Sequence, residues 1–117
     1  MLGVYFFRTS AGNEPVLEWL RELSADDRRI IGEDLRTVQG GWPLGMPLCR
    51  SLGDGLHEVR SSITGNRITR LVFFQHGLRL VIVEGFIKKS RATPDDVLKL
   101  AKRRRSDFLR IEAEKKQ

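Results

Sequence analysis

The spacing of apolar residues changes near the middle of the chain, and that change restricts the fold more than any other feature. Up to about residue 40 apolar side chains recur every three or four positions, as on a helix face. From residue 56 the pattern becomes strand-like over 56–63, 67–75 and 78–87, and the segments are separated by Thr64-Gly65-Asn66 and His76-Gly77, which are hairpin signals. Two such turns in succession predict an antiparallel meander. A further short strand is expected before it, at 48–51.

The flanks complete an α+β chain. Residues 3–8 are aromatic and β-branched enough for a strand. Asn13 is positioned as an N-cap, with Pro15 in the first turn and Val16, Leu20 and Leu23 on one helix face. Ser24 caps a second helix whose start is favoured by Asp26 and Asp27 and whose stripe is Ile31, Leu35 and Val38, ending at Gly40-Gly41. So short a joint predicts an antiparallel helix pair, and the loop GGWPLGMP leads from it into the sheet. Thr93-Pro94-Asp95-Asp96 has the cap, proline and acids of a helix start, and the last helix is expected to run to about Ile111, with residues 112–117 frayed. The expectation is one domain over residues 1–117, a meander sheet packed by an N-terminal helix pair and a C-terminal helix.

Composition removes several classes of function. No apolar run approaches the roughly 18 residues of a membrane span, and the N-terminus lacks the basic start and long apolar stretch of a signal peptide, so a cytoplasmic protein without a membrane partner is expected. Cys49 is the single cysteine and His57 and His76 are the two histidines, which leaves no internal disulfide and no metal-ligand cluster in the sequence. Cys49 reads as a half-buried thiol. Residues 1–84 hold ten Lys or Arg and ten Asp or Glu, whereas residues 85–117 hold eleven and five. The net charge of +6 therefore comes from the C-terminal segment and points to an anionic partner, of which nucleic acid is the commonest.

Strand periodicity decides which charges act together. Alternate residues share a face, so Glu58 and Arg60 fall with Leu56 and Ser62, and His57 falls on the opposite, packing face. Arg70 shares a face with Val72 and Phe74, and Glu84, Phe86 and Lys88 share one with each other. One face of the meander can thus gather Glu58, Arg60, Arg70, Glu84 and Lys88. The plain alternative is a set of surface ion pairs worth ~0.2 to 1 kcal/mol each. In the last helix Val97, Ala101 and Phe108 form a line with Leu98 and Leu109 beside it. Arg104 and Arg105 flank that line, either lining a cleft or covering apolar surface with their stems.

These residues carry a resemblance. The segments LGDGLHEVR, NRITRLVFF and VEGFIKKSRATPDDVLKLAKRRRSDFL resemble the phage-derived HigB-like branch of the RelE superfamily, toxins of type II toxin–antitoxin systems. The Gly-Leu-X-Glu-X-Arg strand at 55–60 and the Gly-Phe-X-Lys-Lys-X-X-X-Thr-Pro run at 85–94 are the most specific parts. The resemblance implies a RelE-like fold and a ribosome-dependent endoribonuclease that cuts mRNA without a cofactor and is silenced by an antitoxin, expected to carry a helix-turn-helix domain.

In such an enzyme the RNA 2′-hydroxyl attacks the adjacent phosphate, and the protein accepts a proton, stabilises charge and protonates the leaving group. By motif position the resemblance makes Arg60 and Arg70 the phosphate grip, Lys88 or Lys89 a further charge, Phe86 a stacking surface and Glu58 the better-placed proton acceptor. Arg67, Lys89, Arg104 and Arg105 complete the expected substrate-binding set. Two positions depart from the pattern: His57 stands where relatives usually carry an aromatic, and Glu84 where many carry histidine or a small residue. Two other classes fit the same residues, a ParE-like toxin that poisons gyrase by contact and a non-enzymatic RNA-binding domain.

Overall fold

The computed structural model describes residues 1–89 and 91–116. Along them run β1 (Gly3–Phe6), α1 (Pro15–Arg21), α2 (Ala25–Gly41), β2 (Cys49–Gly53), β3 (Leu56–Ile63), β4 (Arg67–His76), β5 (Arg79–Ile87) and α3 (Asp95–Lys115). The strands form one sheet in the order β1-β5-β4-β3-β2. β2 to β5 make the expected antiparallel meander, with Arg60 opposite Arg70 and Arg70 opposite Phe86. β1 makes the sheet mixed, because it lies parallel to β5 with Gly3 opposite Arg79 and Phe6 opposite Ile82. Its residues show that it is a strand; its direction is seen only in its pairing with β5.

The sheet is covered on both faces because its central strands alternate apolar side chains to either side. On one face Val16 and Leu20 of α1 and Ile31 and Val38 of α2 pack with Val59, Leu71, Phe73 and Ile82. On the other, Ala101 and Phe108 of α3 pack with Leu56, Val72, Phe74, Val81 and Val83. Full burial of a Leu, Ile, Val or Phe contributes roughly 1.5 to 3 kcal/mol, so these two layers supply most of the drive to fold. Gly85 marks the tightest approach: a Cβ there would lie 2.9 Å from Leu71 Cδ2 and 3.0 Å from Trp19 Cζ3. His57 takes the packing face as expected, with ring centroids 4.8 Å from Trp42 and 5.6 Å from Phe73, and burial lowers its pKa from the ordinary value.

Several local expectations change. Ser24 caps α2 by accepting from Asp27 N–H at 3.2 Å, but α1 starts after Glu14 with no side-chain cap, and Asn13 is held in the preceding turn by Thr9. α3 begins after Pro94 without a side-chain cap and continues to Lys115, beyond the expected end at Ile111; Gln117 lies outside the described residues. Leu109 is 42% exposed and lies outside the α3 core line. Cys49 is fully buried, which pushes its thiol up to about 11.

Candidate nucleic-acid interface

The α3 face of the sheet is apolar only over part of its length. Past Val72, β3 and β4 present Glu58, Arg60 and Arg70, β5 presents Phe86, and Lys88 extends the pairing with its N–H donating to Ile68 O at 2.7 Å. The antiparallel register makes Arg60 and Arg70 direct cross-strand neighbours, a like-charge arrangement that is destabilising on its own. Glu58 offsets it. Its carboxylate lies 3.5 Å from Arg70 and 4.0 Å from Arg50, the residue opposite it on β2.

Glu58 and Arg70 are 0% and 1% exposed, with Arg91 and Thr93 closing over them. Thr93 Oγ1 donates to Glu58 Oε2 at 3.0 Å and accepts from Arg70 Nη1 at 3.4 Å. The carbonyl of Arg91 accepts from Arg70 Nη2 at 3.0 Å and from Arg50 Nη1 at 3.3 Å. Thr93 is therefore a bridge in this cluster rather than the cap its sequence context suggests. Glu58, expected as the proton acceptor, has no exposed surface in this arrangement. It acts here as a positioning residue that holds Arg70.

Positive charge outweighs negative at this end of the sheet. Burial is the largest influence lowering the pKa of Arg70; Glu58 opposes it, and Arg60 and Arg50 add to it. Burial likewise lowers Lys88, with Arg60, Arg70 and Arg91 adding to the effect against Glu58. The Nε atoms of both Arg60 and Arg70 are buried without a hydrogen-bond partner among the described residues. Beside them opens a groove of about 370 Å³ lined by Asn66, Arg67, Ile68, Lys88, Lys89 and Arg91, and its lining contains no carboxylate. A phosphate is the natural counterpart of such a surface.

The other expected substrate-binding residues are placed differently. Arg67 borders the groove, but its guanidinium is tied to Asp27 at 2.8 Å, and its Nε donates to Thr64 O at 3.0 Å. Asp27 is buried at the start of α2. Burial pushes its pKa up, while the N–H and hydroxyl of Thr64, Ser24 and Arg67 outweigh that effect and hold it below the ordinary carboxylate value. Phe86 is half-buried against the α3 core, and Lys89 is exposed. Arg104 donates to Val83 O at 2.7 Å and pairs with Glu84 at 3.7 Å, and Arg105 pairs with Asp54 at 2.8 Å while also donating to the Asp54 carbonyl. The turn that offers Asp54 needs positive φ at Gly53, Asp54 and Gly55, which two glycines permit. Arg104 and Arg105 thus fasten α3 to the sheet. Arg50, Arg91 and Thr93 join the cluster although sequence reasoning did not select them; Arg50 was detectable as the strand neighbour of Glu58.

The model of the family described as "Phage derived protein Gp49-like (DUF891)" matches residues 18–106, from α1 through most of α3 and including every strand of the meander. The chain belongs to the Gp49-like family. Membership fits a toxin-like protein of phage origin, and the match spans the whole charged cluster of this Gp49-like chain. No curated protein matches it. Among the described residues no group of three His, Cys, Asp or Glu is placed to hold a metal ion, and no helix is long and apolar enough to cross a membrane.

Proposed function

We propose that this Gp49-like chain is a toxin of the RelE/HigB kind, an endoribonuclease that cuts mRNA on the ribosome in the cytoplasm and is neutralised by an antitoxin. The observation that carries the reading is the like-charge pair Arg60 and Arg70 beside Lys88, which lines a groove together with Arg67, Lys89 and Arg91. So much uncompensated charge in one place opposes folding, and a bound phosphate relieves it. In this mechanism the 2′-hydroxyl attacks the phosphorus in line and the 5′-oxygen of the next nucleotide leaves. Arg60 and Lys88, both partly exposed, hold the phosphate oxygens and stabilise the added negative charge. Arg70 sits behind Arg60, fixed by Glu58 and Thr93, and keeps the local potential positive. Lys89 and Arg91 carry the flanking backbone. The ribosome aligns the RNA, which fits a site whose central carboxylate, Glu58, is buried against Arg70. The antitoxin, expected to carry a helix-turn-helix domain, covers the basic groove.

The test is brief expression in a bacterial cell with new 5′ ends mapped on translated and untranslated copies of one reporter mRNA. Ends confined to the translated copy, and lost in Arg60→Ala, are expected. Growth arrest without new ends would transfer the chain to the gyrase-poisoning class, and an inert chain to the RNA-binding class.

A further inference from the structure

A second groove, of about 400 Å³, lies at the edge of the sheet on the other side of Ile68, and the cleavage chemistry above leaves it unused. Ile30 and Asp34 of α2 form one wall, Leu48 another, and Arg60 and Ser62 of β3 its edge, with Ile68 behind. The floor is main chain. Arg60 N–H donates to Leu48 O at 2.8 Å, so the polar groups of Arg60 point away from β4. The two-residue alternation of a strand turns the N–H and C=O of Ser62 the same way. β2 begins at Cys49, opposite Val59, and leaves Ser62 past its end. Asp34 is half-buried, and its side chain makes no hydrogen bond or ion pair among the described residues.

We propose that this groove takes a guanine base of the RNA whose phosphate lies on Arg60, an inference that rests on the RNA-cleaving reading above. A carboxylate offers only acceptors, two of them side by side. Guanine alone among the four bases presents two adjacent N–H donors on its Watson–Crick edge, at N1 and N2, with the O6 acceptor next to them. Asp34 receives the two donors and Ser62 N–H serves O6. Adenine and cytosine set an acceptor nitrogen beside their single amino group, facing the carboxylate lone pairs, and uracil flanks its one N–H with two carbonyls. Ile30, Leu48 and Ile68 supply the apolar cover that a base face requires, and Arg60 links the base pocket to the phosphate site.

The experiment titrates the full chain with 3′-GMP, 3′-AMP, 3′-CMP and 3′-UMP by calorimetry, for wild type and Asp34→Asn. A preference for 3′-GMP of about tenfold or more is expected, the size that one bidentate contact provides. Asp34→Asn should bring the four nucleotides together while leaving the circular dichroism spectrum unchanged. Equal affinities in the wild type, a guanine preference that survives in Asp34→Asn, or no saturable binding of any nucleotide would each overturn the inference. The two readings fail separately. New 5′ ends whose base context is the same in wild type and Asp34→Asn refute the groove and leave the nuclease standing; a 3′-GMP preference lost in Asp34→Asn, in a chain that makes no new ends, refutes the nuclease and leaves the groove.

Discussion

Replacing Glu58 with alanine takes away the carboxylate that lies 3.5 Å from Arg70 and 4.0 Å from Arg50, and leaves Arg70, 1% exposed, as a buried charge without a counterion. Breaking a buried pair from one side costs about 3 to 5 kcal/mol, because the desolvated partner cannot recover its hydration. With an m-value of about 1.5 kcal/mol/M, the urea midpoint falls by roughly 2 to 3 M. Arg50, Arg60, Arg70 and Lys88 then share one end of the sheet with no acid among them, so inorganic phosphate should restore part of the loss by mass action. The double replacement Glu58→Leu with Arg70→Met removes both charges and should be far more stable than Glu58→Ala, since two apolar side chains need no mutual compensation. Urea titration followed by circular dichroism, with and without phosphate, reads all three. A loss under about 0.5 kcal/mol in Glu58→Ala, the range of an ordinary surface substitution, would refute the claim that this carboxylate holds the cluster.

Three further outcomes are expected. Gly85→Ala drives a methyl group against Leu71 and Trp19 and should lower stability by about 1 to 3 kcal/mol in a thermal melt. Lys88 is a cation only below its pKa, which lies under the ordinary lysine value of 10.5, so affinity for a short RNA should weaken as pH rises through that lowered value; Lys88→Arg should flatten the profile in a fluorescence titration. Cys49, buried and raised to about 11, should resist a thiol reagent in the folded protein at neutral pH and react once urea unfolds it.

Much of this was legible because it depends on local pattern. Thr64-Gly65-Asn66 and His76-Gly77 fixed the meander, and once those turns are placed, parity brings Glu58, Arg60 and Arg70 to one face, whereas Phe86 and Lys88 join them only because the β4–β5 register shifts by one residue between Val72 and Phe73. What periodicity cannot give is the depth of a residue along that face. Arg60 and Arg70 look equivalent in sequence, yet the covering segment buries one and leaves the other partly open. The same limit applies to Arg104 and Arg105: their place on the helix was correct, but the carbonyls of Val83 and Asp54 that engage them come from residues far away in the chain. Thr93 shows the converse, a residue whose local context suits a helix cap and whose tertiary partners take it elsewhere. The direction of β1 also depends on a distant partner, Arg79 to Ile82.

That parallel pairing of β1 with β5 has a consequence for how the chain is made. On a ribosome β1 emerges before the rest of the sheet, but the strand beside which it rests begins only some seventy residues later, and residues 91–93 that close over Glu58 and Arg70 come later still. Until then the nascent chain has a lone strand at its start and an uncovered charged face in its middle, both non-local contacts that must wait. The site and the edge strand therefore mature together, once residues 79–93 have emerged.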